Sequence, residues 1–505
     1  MFSNLFGKKS DHPLADIKSA MALLEELPRN DAHKMLMELT EWVESVGDNA
    51  DFRLEHQFAV LRLLDETAQP YLRKLVREYF SPQEMSKFQE NRLWLVLVNW
   101  SHHAANAHLA VFDRYCSGDK GASALKSQLP LLAVRAMHAL NGYLKYVSAH
   151  YGPMDPSLWS KVARLYQHAE QQQYLDAKVE LYSGAAAAAT TVRGETAELL
   201  GWYGCGVGTL SPLSMHLTER IVGLYSGSVT VAAQQAGDSL FCFDLAQPAA
   251  PLRIKAGARV QPSTRFVSMA AMQPKLEELL RELAKNTVPQ ELSLGGNYPV
   301  ELVREAAQYL RDYLVDPPLR RSPRRGIKVG LKVANGFGRL LESTDMGLNF
   351  NAELPLHWEV EDISASGFRT VIPNQGADGI RIGSLLGIQP DGVTHWGAAV
   401  VRRLMRDDAN QLHIGAEMLA NQIVGVTLGA GGDESQHALW LMDKPGESSG
   451  LARLLMKVDA FIAQRSFQTS FGDKNYLLMP VGLDEKGLDY DLARFRMIEQ
   501  EVGED

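Results

Sequence analysis

The sequence predicts a multidomain α+β protein in which a helical N-terminal domain is followed by a small antiparallel β-barrel. Apolar residues recur at helical spacing through the first 205 residues, whereas short alternating stretches begin after residue 326. A chain of 505 residues is also too long for a single hydrophobic core. We therefore expect a helical domain at 1–205, a mixed α/β connecting domain at 206–316, a β-barrel at 317–428 and a C-terminal α+β extension at 429–505.

The N-terminal domain has the pattern of helices almost throughout. Ile17, Met21, Leu24 and Leu27 fall on one helical face, and Pro28 ends that helix. The same spacing continues at 35–46 and 54–64, and it predicts further helices at 70–80, 84–116, 128–150 and 156–205. The glycine-rich stretch 204–208 follows no strand and lacks a Lys-Ser/Thr pair, so it predicts a helix stop or linker and not a phosphate loop.

In the rest of the chain, apolar and polar residues alternate more often, as is typical of strands. In the connecting domain, 228–231 and 240–245 predict strands, and helices are expected from about 274 to 285 and from about 299 to 315. Barrel strands are expected near 326–334, 356–362, 368–373, 384–390, 395–406, 411–419 and 422–428. In the C-terminal extension, 438–441 and 476–479 predict strands and 449–463 predicts a helix. The C-terminal extension is also compatible with a second, degenerate β domain.

Composition argues against several classes of protein. A net charge of −9 disfavours general nucleic-acid binding, while 46% hydrophobic and 22% charged residues are typical of a globular chain. Cys116, Cys205 and Cys242 lie far apart, which predicts reduced thiols and neither a disulfide framework nor a metal site. The longest apolar run, 93–98, is too short to cross a membrane, and the N-terminus lacks an apolar signal segment. We therefore expect a cytoplasmic protein.

Motifs of catalytic or metal sites are missing from the sequence. His102, His103 and His108 carry no carboxylate at H-E-x-x-H spacing, so core or surface histidines are the better interpretation. There is no G-x-S-x-G elbow and no Walker loop. We therefore expect neither an enzyme nor a metal-binding protein.

The most distinctive stretch begins at Pro317, with the sequence Pro-Pro-Leu-Arg-Arg-Ser-Pro-Arg-Arg. Arg320 and Arg324, or Arg321 and Arg325, form an R-x-x-x-R pattern on this arm. The prolines hold the arm extended, so that the guanidinium groups project outward. From 317 to 341 the sequence contains no Asp or Glu, which makes this arm a concentrated anion-attracting segment in an acidic protein.

A second motif, Asp362-x-Ser364-x-x-Gly367, lies at the end of a strand in which Trp358 and Val360 alternate with charged residues. Guanidinium groups fit phosphate oxygens and the O6/N7 edge of guanine, and an ionised Asp362 accepts from the N1–H and N2–H donors of the opposite edge. Ser364 is able to donate to a phosphate, and Gly367 permits close approach of backbone and ligand. The two motifs together indicate a ligand that carries both bases and phosphates.

The arm, the D-x-S-x-x-G turn and a later strand with Val400-Val401-Arg402-Arg403 resemble, in this order, the PilZ domain, over 317–428. PilZ domains are small β-barrels that bind the bacterial second messenger cyclic di-GMP. The resemblance implies cyclic di-GMP as the ligand, with no further cofactor. It implies ligand contacts from Arg320, Arg321, Arg324, Arg325, Asp362, Ser364 and Gly367.

The doubled arginines leave the register of the arm open. We favour Arg320 with Arg324, because Ser322-Pro323 supplies the small residue and the proline that often precede the second arginine of the family. Arg402 and Arg403 alternate faces of their strand, so at most one of them points toward the ligand. Trp396 is expected to plug the barrel.

These patterns support a cytoplasmic bacterial cyclic di-GMP receptor that changes its domain arrangement and signals through the helical domain to an unidentified protein partner. Outputs in motility, pili or biofilm formation are implied by the resemblance alone. The alternative is a PilZ-like scaffold that has lost its ligand and acts through protein contacts; the intact arginines and turn favour the receptor. Single-stranded nucleic-acid binding would need aromatic residues interleaved with basic ones, and that pattern is absent.

Overall fold

The protein is described here by a computed structural model, in which the chain divides into two compact units. The first contains the described residues up to 316 except 151–153, and the second contains 151–153 and the described residues from 323 onward. None of the described helices is both long and apolar enough to cross a bilayer. The structure describes residues 12–183, 189–255, 257, 260–316, 323–344, 355–364, 366–373, 379–429, 435–442 and 450–500.

Amphipathic helices make up most of the first unit. In the helix Leu54–Tyr79, for example, Phe58, Leu61 and Leu64 lie on one face and are fully buried. Asp31 caps the helix that follows it by accepting two backbone N–H bonds. The helices in this part are α1 (Ile17–Glu26), α2 (Ala32–Gly47), α3 (Leu54–Tyr79), α4 (Lys87–Cys116), α5 (Ala122–Leu125), α6 (Leu129–Ala149), α7 (Ser157–Gln171), α8 (Val192–Gly204) and α9 (Pro212–Leu224).

Two helix predictions in this unit are wrong. No helix begins near 70; Pro70 lies inside α3, where its missing N–H removes one ladder bond while apolar residues on both sides stay buried. The predicted helix 156–205 is divided into α7 and α8. Gln173, with a φ of 58°, lies just after α7, and the short strands β1 (Val179–Glu180) and β2 (Ala189–Thr190) pair between the two helices.

A four-stranded antiparallel sheet and two helices complete the first unit. The predicted strands at 228–231 and 240–245 and the predicted helices at 274–285 and 299–315 are present, with bounds shifted by a few residues. The sheet order is β3–β6–β4–β5, in which the elements are β3 (Thr230–Ala232), β4 (Ser239–Asp244), β5 (Leu252–Arg253), β6 (Thr264–Ser268), α10 (Gln273–Leu283) and α11 (Val300–Val315).

The glycine-rich stretch 204–208 ends α8 and packs against α11. The hydroxyl of Tyr313 donates to the Gly204 carbonyl at 2.9 Å, and that of Tyr309 donates to the Cys205 carbonyl at 2.6 Å. These tyrosines satisfy carbonyl groups that the helix end leaves free. The stretch is therefore a helix stop, as predicted, and the segment expected as a separate connecting domain packs with the helical domain in one unit.

The second unit begins with a closed six-stranded barrel of order β7–β8–β9–β12–β11–β10. Leu331, Val333, Trp358 and Val360 alternate with exposed residues and fill its interior. All its strands lie within two residues of their predicted bounds. They are β7 (Arg325–Asn335), β8 (Leu356–Ser364), β9 (Gly367–Ile372), β10 (Leu385–Pro390), β11 (Gly397–Arg406) and β12 (Leu412–Ala420), with α12 (Phe337–Glu342) after β7.

A second closed six-stranded barrel follows, which confirms the predicted second β domain. Counted from the first strand of each barrel, both have the order 1-2-3-6-5-4, with strand 4 meeting strand 1. The strands are β13 (Gln422–Gly429), β14 (Ser435–Met442), β15 (Leu451–Lys457), β16 (Phe467–Phe471), β17 (Lys474–Lys486) and β18 (Tyr490–Gln500).

Two placements in this region differ from those expected. Residues 422–428, expected to end the first barrel, form β13 and pair with β14 and β16 of the second barrel. The helix predicted at 449–463 is wrong. Leu451, Leu454 and Leu455 fall at helical spacing, but this segment forms β15, which is paired on both edges with β14 and β18.

The two barrels share a hydrophobic cluster. Leu385 and Val400 of the first barrel pack with Leu439 and Leu455 of the second, together with Leu340 of α12. Trp396 is partly buried against this cluster, and its backbone carbonyl accepts from the N–H of Ile423 at 2.8 Å. The tryptophan expected inside the first barrel therefore lies at the contact between the barrels.

Candidate functional site

Strands β7 and β8 bring the end of the arginine arm beside the D-x-S-x-x-G motif. Arg324 immediately precedes β7, and Gly326 lies opposite Asp362 in the antiparallel register. Nη1 of Arg324 lies 3.0 Å from Oδ1 and 3.1 Å from Oδ2 of Asp362. Two residues that are 38 positions apart in the sequence therefore form an ion pair at the edge of the first barrel.

This ion pair is partly accessible to solvent. The Arg324 side chain is 32% exposed and that of Asp362 is 19% exposed. A register shift between Gly326 and Val329 also places a bulge in β7 just after the arm. Bulges bend a strand and redirect its end, which accounts for the approach of Arg324 to the neighbouring strand. A ligand with donors and anionic groups has access to both members of the pair.

Ser364 and Gly367 face each other across the hairpin between β8 and β9. The Ser364 hydroxyl donates to the Gly367 carbonyl at 3.1 Å. Gly367 is buried, and a Cβ added there would overlap the backbone carbonyl of Ala416 on β12. In this structure both residues hold the hairpin together, so the close approach that Gly367 allows is between strands.

The remaining predicted site residues are the other arginines. Arg325 is exposed at the start of β7, opposite Ile363. Arg320 and Arg321 lie outside the described residues. Of the two arm arginines that the structure describes, Arg324 is therefore the one that contacts Asp362.

Sequence reasoning missed Arg369, which lies on β9 opposite Asp362. Its Nη2 donates to Nδ1 of His413 at 2.7 Å and lies 3.3 Å from a carboxylate oxygen of Glu361. Since Nδ1 accepts, Nε2 of His413 carries the proton and donates to Asp407 at 2.8 Å. Period-two spacing from the buried Phe368 would have placed Arg369 on the outer face.

Arg402 contacts the second barrel and not the D-x-S-x-x-G motif. It donates to Glu485 at 2.8 and 2.5 Å and to Glu417 at 2.8 Å, and the Tyr490 hydroxyl donates to Glu485 at 2.7 Å. Burial alone would raise the pKa of Glu485, but the bonds from Arg402 and Tyr490 outweigh it and lower that pKa. Arg403, the next residue, is exposed. The predicted alternation of the two arginines is wrong, because the register shifts between Val401 and Arg403 and both Val401 and Leu404 fill the barrel interior.

The second barrel lacks the ligand motifs. No arginine occurs in 407–421 before β13, whereas four precede or begin β7. The connection between β14 and β15, 443–449, has Pro445 where the motif requires serine. The shared topology is therefore not accompanied by shared ligand residues.

The histidines of α4 form no metal site. Nδ1 of buried His108 lies 2.7 Å from the carbonyl of Ala104, and His103 lies 3.6 Å from Glu44. Within the residues that the structure describes, no group of three or more His, Cys, Asp or Glu side chains is arranged to hold a metal ion.

The helical unit resembles a known receptor domain. Residues 18–235 match the family model described as the cyclic-di-GMP receptor FimW, N-terminal domain. This chain is similar to that domain. A comparison with curated proteins finds no match. The FimW match extends beyond the expected boundary at 205 and lies outside 317–428, so the PilZ resemblance of the first barrel stays a prediction.

Proposed function

We propose that the chain is a non-catalytic cytoplasmic receptor of bacterial origin that binds cyclic di-GMP on its first barrel. The observation that carries the proposal is the contact between Arg324 and Asp362, because two motifs expected to share one ligand meet at one place. The likeness of 18–235 to the N-terminal domain of a cyclic di-GMP receptor supports it from a different part of the chain.

Ligand binding exchanges internal bonds for bonds to the dinucleotide. A phosphate or the O6/N7 edge of guanine competes with Asp362 for the guanidinium of Arg324. Asp362, once released, accepts from N1–H and N2–H of guanine. Arg320 supplies the second arginine contact, with Arg321 and Arg325 as the alternative pair, and Ser364 turns its hydroxyl from the Gly367 carbonyl to the ligand.

The proposed signal is an ordering of the arm. Several like charges close together in the sequence repel one another, and an anionic ligand neutralises them while it ties the arm to the Asp362–Gly367 turn. The resulting change in domain arrangement is then read by a protein partner at the helical domain, with motility, pili or biofilm formation as the output. The ligand shifts this equilibrium only by its differential affinity for the two states.

A ligand-free scaffold is the second candidate, and one observation favours it. Arg324 and Asp362 already form an ion pair without a ligand. Calorimetric titration of the full chain with cyclic di-GMP separates the two, with cyclic di-AMP as a control that keeps the phosphates and changes the bases. Saturable binding of cyclic di-GMP alone supports the receptor, and absence of heat with both supports the scaffold.

The arginine assignment is tested by Arg324→Ala. Loss of a charge-assisted hydrogen bond costs about 1.5–3 kcal/mol, so affinity for cyclic di-GMP should fall at least about tenfold. Lys332→Ala is the control, because it removes an exposed cation from β7 at a position opposite His357 and away from Asp362. Equal losses of affinity in both variants would mean that Arg324 acts only through its positive charge. Unchanged affinity in an Arg320→Ala/Arg324→Ala double variant would move the site to Arg321 and Arg325.

A further inference from the structure

The two barrels close differently at the same seam. In the first barrel, strands 1 and 4 are β7 and β10, and they pair over five positions from Leu331↔Pro390 to Asn335↔Leu386. In the second barrel the equivalent strands are β13 and β16, and within the described residues they share the single pair Gly429↔Gln468. The second barrel has the same strand order as the first, but it is nearly open along one edge of β13.

Two hydrogen bonds show which backbone groups face this opening. The Thr427 carbonyl accepts from Oγ1 of Thr469 on β16, and the N–H of Ile423 donates to Trp396, away from β14. Alternate residues of a strand direct their backbone groups to the same side, so Gly425 faces the opening as well. Within the described residues, neither Gly425 nor Thr427 pairs with β16, since Gly429 is the one residue of β13 in that register.

The opening forms a slot of about 650 Å³ beside these groups. Its side chains are amides, hydroxyls and one phenol, from Thr427, Gln468, Ser470, Asn475, Tyr476 and Gln500. Among the described residues no charged side chain lines it, which does not suit a phosphate or a free carboxylate. Amide and hydroxyl groups do suit a peptide backbone, which carries one donor and one acceptor at each residue.

The edge of β13 also lacks the features that usually protect a strand from pairing. Between 422 and 429 there is no lysine, proline or other charged residue, while Ile423, Val424 and Val426 are β-branched. We propose that this edge binds an extended segment of a partner protein, which adds as a strand between β13 and β16. Backbone bonds to Gly425 and to the N–H of Thr427 would supply affinity, and uncharged polar side chains of the segment would fill the slot.

Hydrogen exchange resolved to single residues tests the free edge. In the full chain, the amides of Gly425 and Thr427 should exchange roughly 100-fold faster than those of Val424 and Val426, which face β14. Equal protection of all four amides in a monomer would show that the edge is already covered and would overturn the proposal. The same protection in a dimer would assign the edge to a second copy of this chain and would also overturn it.

Binding is tested with a defined probe, an acetylated seven-residue peptide of alternating threonine and valine. Saturation with this peptide should slow exchange at Gly425 and Thr427 by at least tenfold and leave β7 and β10 unaffected. Two N-methylated forms provide the control on the peptide, since methyl groups on the residues that face β13 should abolish binding and methyl groups on the intervening residues should not. Equal binding of both forms, or no protection at millimolar peptide, would overturn strand addition.

Gly425→Pro tests the same contact from the protein side. Proline removes the N–H that faces the slot and leaves the ladder with β14 intact, so peptide affinity should fall at least tenfold. Val424→Ala is the matched control, because Val424 lies on the same strand but does not line the slot, and the change keeps the backbone. The methylated peptides keep the proposal testable even where Gly425→Pro fails to fold, and wild-type affinity in a folded Gly425→Pro variant contradicts it.

Discussion

The two C-terminal barrels share one strand order but differ in what they present at their edges. The first carries the arginine arm and the Asp362–Gly367 turn and is closed by five paired positions between β7 and β10. The second lacks both motifs and leaves part of β13 unpaired. In each, the strand order is maintained by alternating buried side chains, whereas the differences lie in turns, arms and seams. The fold therefore places few demands on the residues that would bind a ligand.

The largest expected effect is on strand stability, when the glycine at the start of the third strand of each barrel is replaced. In Gly367→Ala the new methyl group overlaps the Ala416 carbonyl, so the free energy of opening of β9 should fall by at least about 3 kcal/mol. Gly450, before β15, has a φ of 68° and open space around it, so Gly450→Ala should cost about 1–2 kcal/mol. Native-state hydrogen exchange at β9 and β15 measures both.

Similar costs in the two variants would contradict this comparison. They would mean that β9 and β12 move apart easily, and that Gly367 matters for its backbone conformation or for a ligand instead of for strand packing.

The next effect concerns ligand affinity. Asp362→Ala should weaken cyclic di-GMP binding by about 1.5–3 kcal/mol, because the acceptor for the guanine edge is lost, while the melting temperature changes little. Glu359→Ala removes an exposed carboxylate from the same strand and is the control. Calorimetry and thermal unfolding on both variants check the prediction. A lowered melting temperature with retained binding would assign Asp362 to the turn alone.

A smaller effect is expected where the barrels meet. Arg402→Gln removes the paired bonds to Glu485 and the bond to Glu417, and because Arg402 is partly exposed the cost should be about 1–2 kcal/mol. Arg403→Gln, at the next and exposed position, should change stability by less than about 0.5 kcal/mol. Urea unfolding of the two variants measures the free energy of unfolding for neighbouring arginines on one strand. Equal effects would mean that the ion pair between Arg402 and Glu485 has no special role in stability.

The smallest predicted effect is a pH dependence of that pair. The pKa of Glu485 is lowered in the folded state, so its stabilisation is complete above the unfolded value of about 4.3 and is lost as the pH falls through the folded pKa. The stability difference between the wild-type chain and Arg402→Gln should be constant from pH 7 to 5 and shrink below about pH 4.3. A difference that grows on acidification would contradict the assignment.

The first barrel could be predicted closely, because its strands alternate cleanly and the residues that end them are turn formers. Arg324 and Asp362 were expected to act together, and the structure places them in contact. The strand β15 could not be predicted, since a segment buried on both faces has no period of two and its leucines mimic a helix. Pro70 misled the helix prediction because packing of α3 outweighs one lost bond. Arg369 was overlooked because it belongs to neither motif.

The connection between the barrels is one residue long, since β12 ends at Ala420 and β13 begins at Gln422. A tether this short keeps each barrel in the immediate neighbourhood of the other, at an effective concentration of roughly millimolar or higher. A contact surface too weak to assemble two free proteins is then sufficient to hold the pair together. Cutting the chain at Asn421 would separate these contributions, and the two halves should dissociate on dilution even though every side chain at their boundary is unchanged.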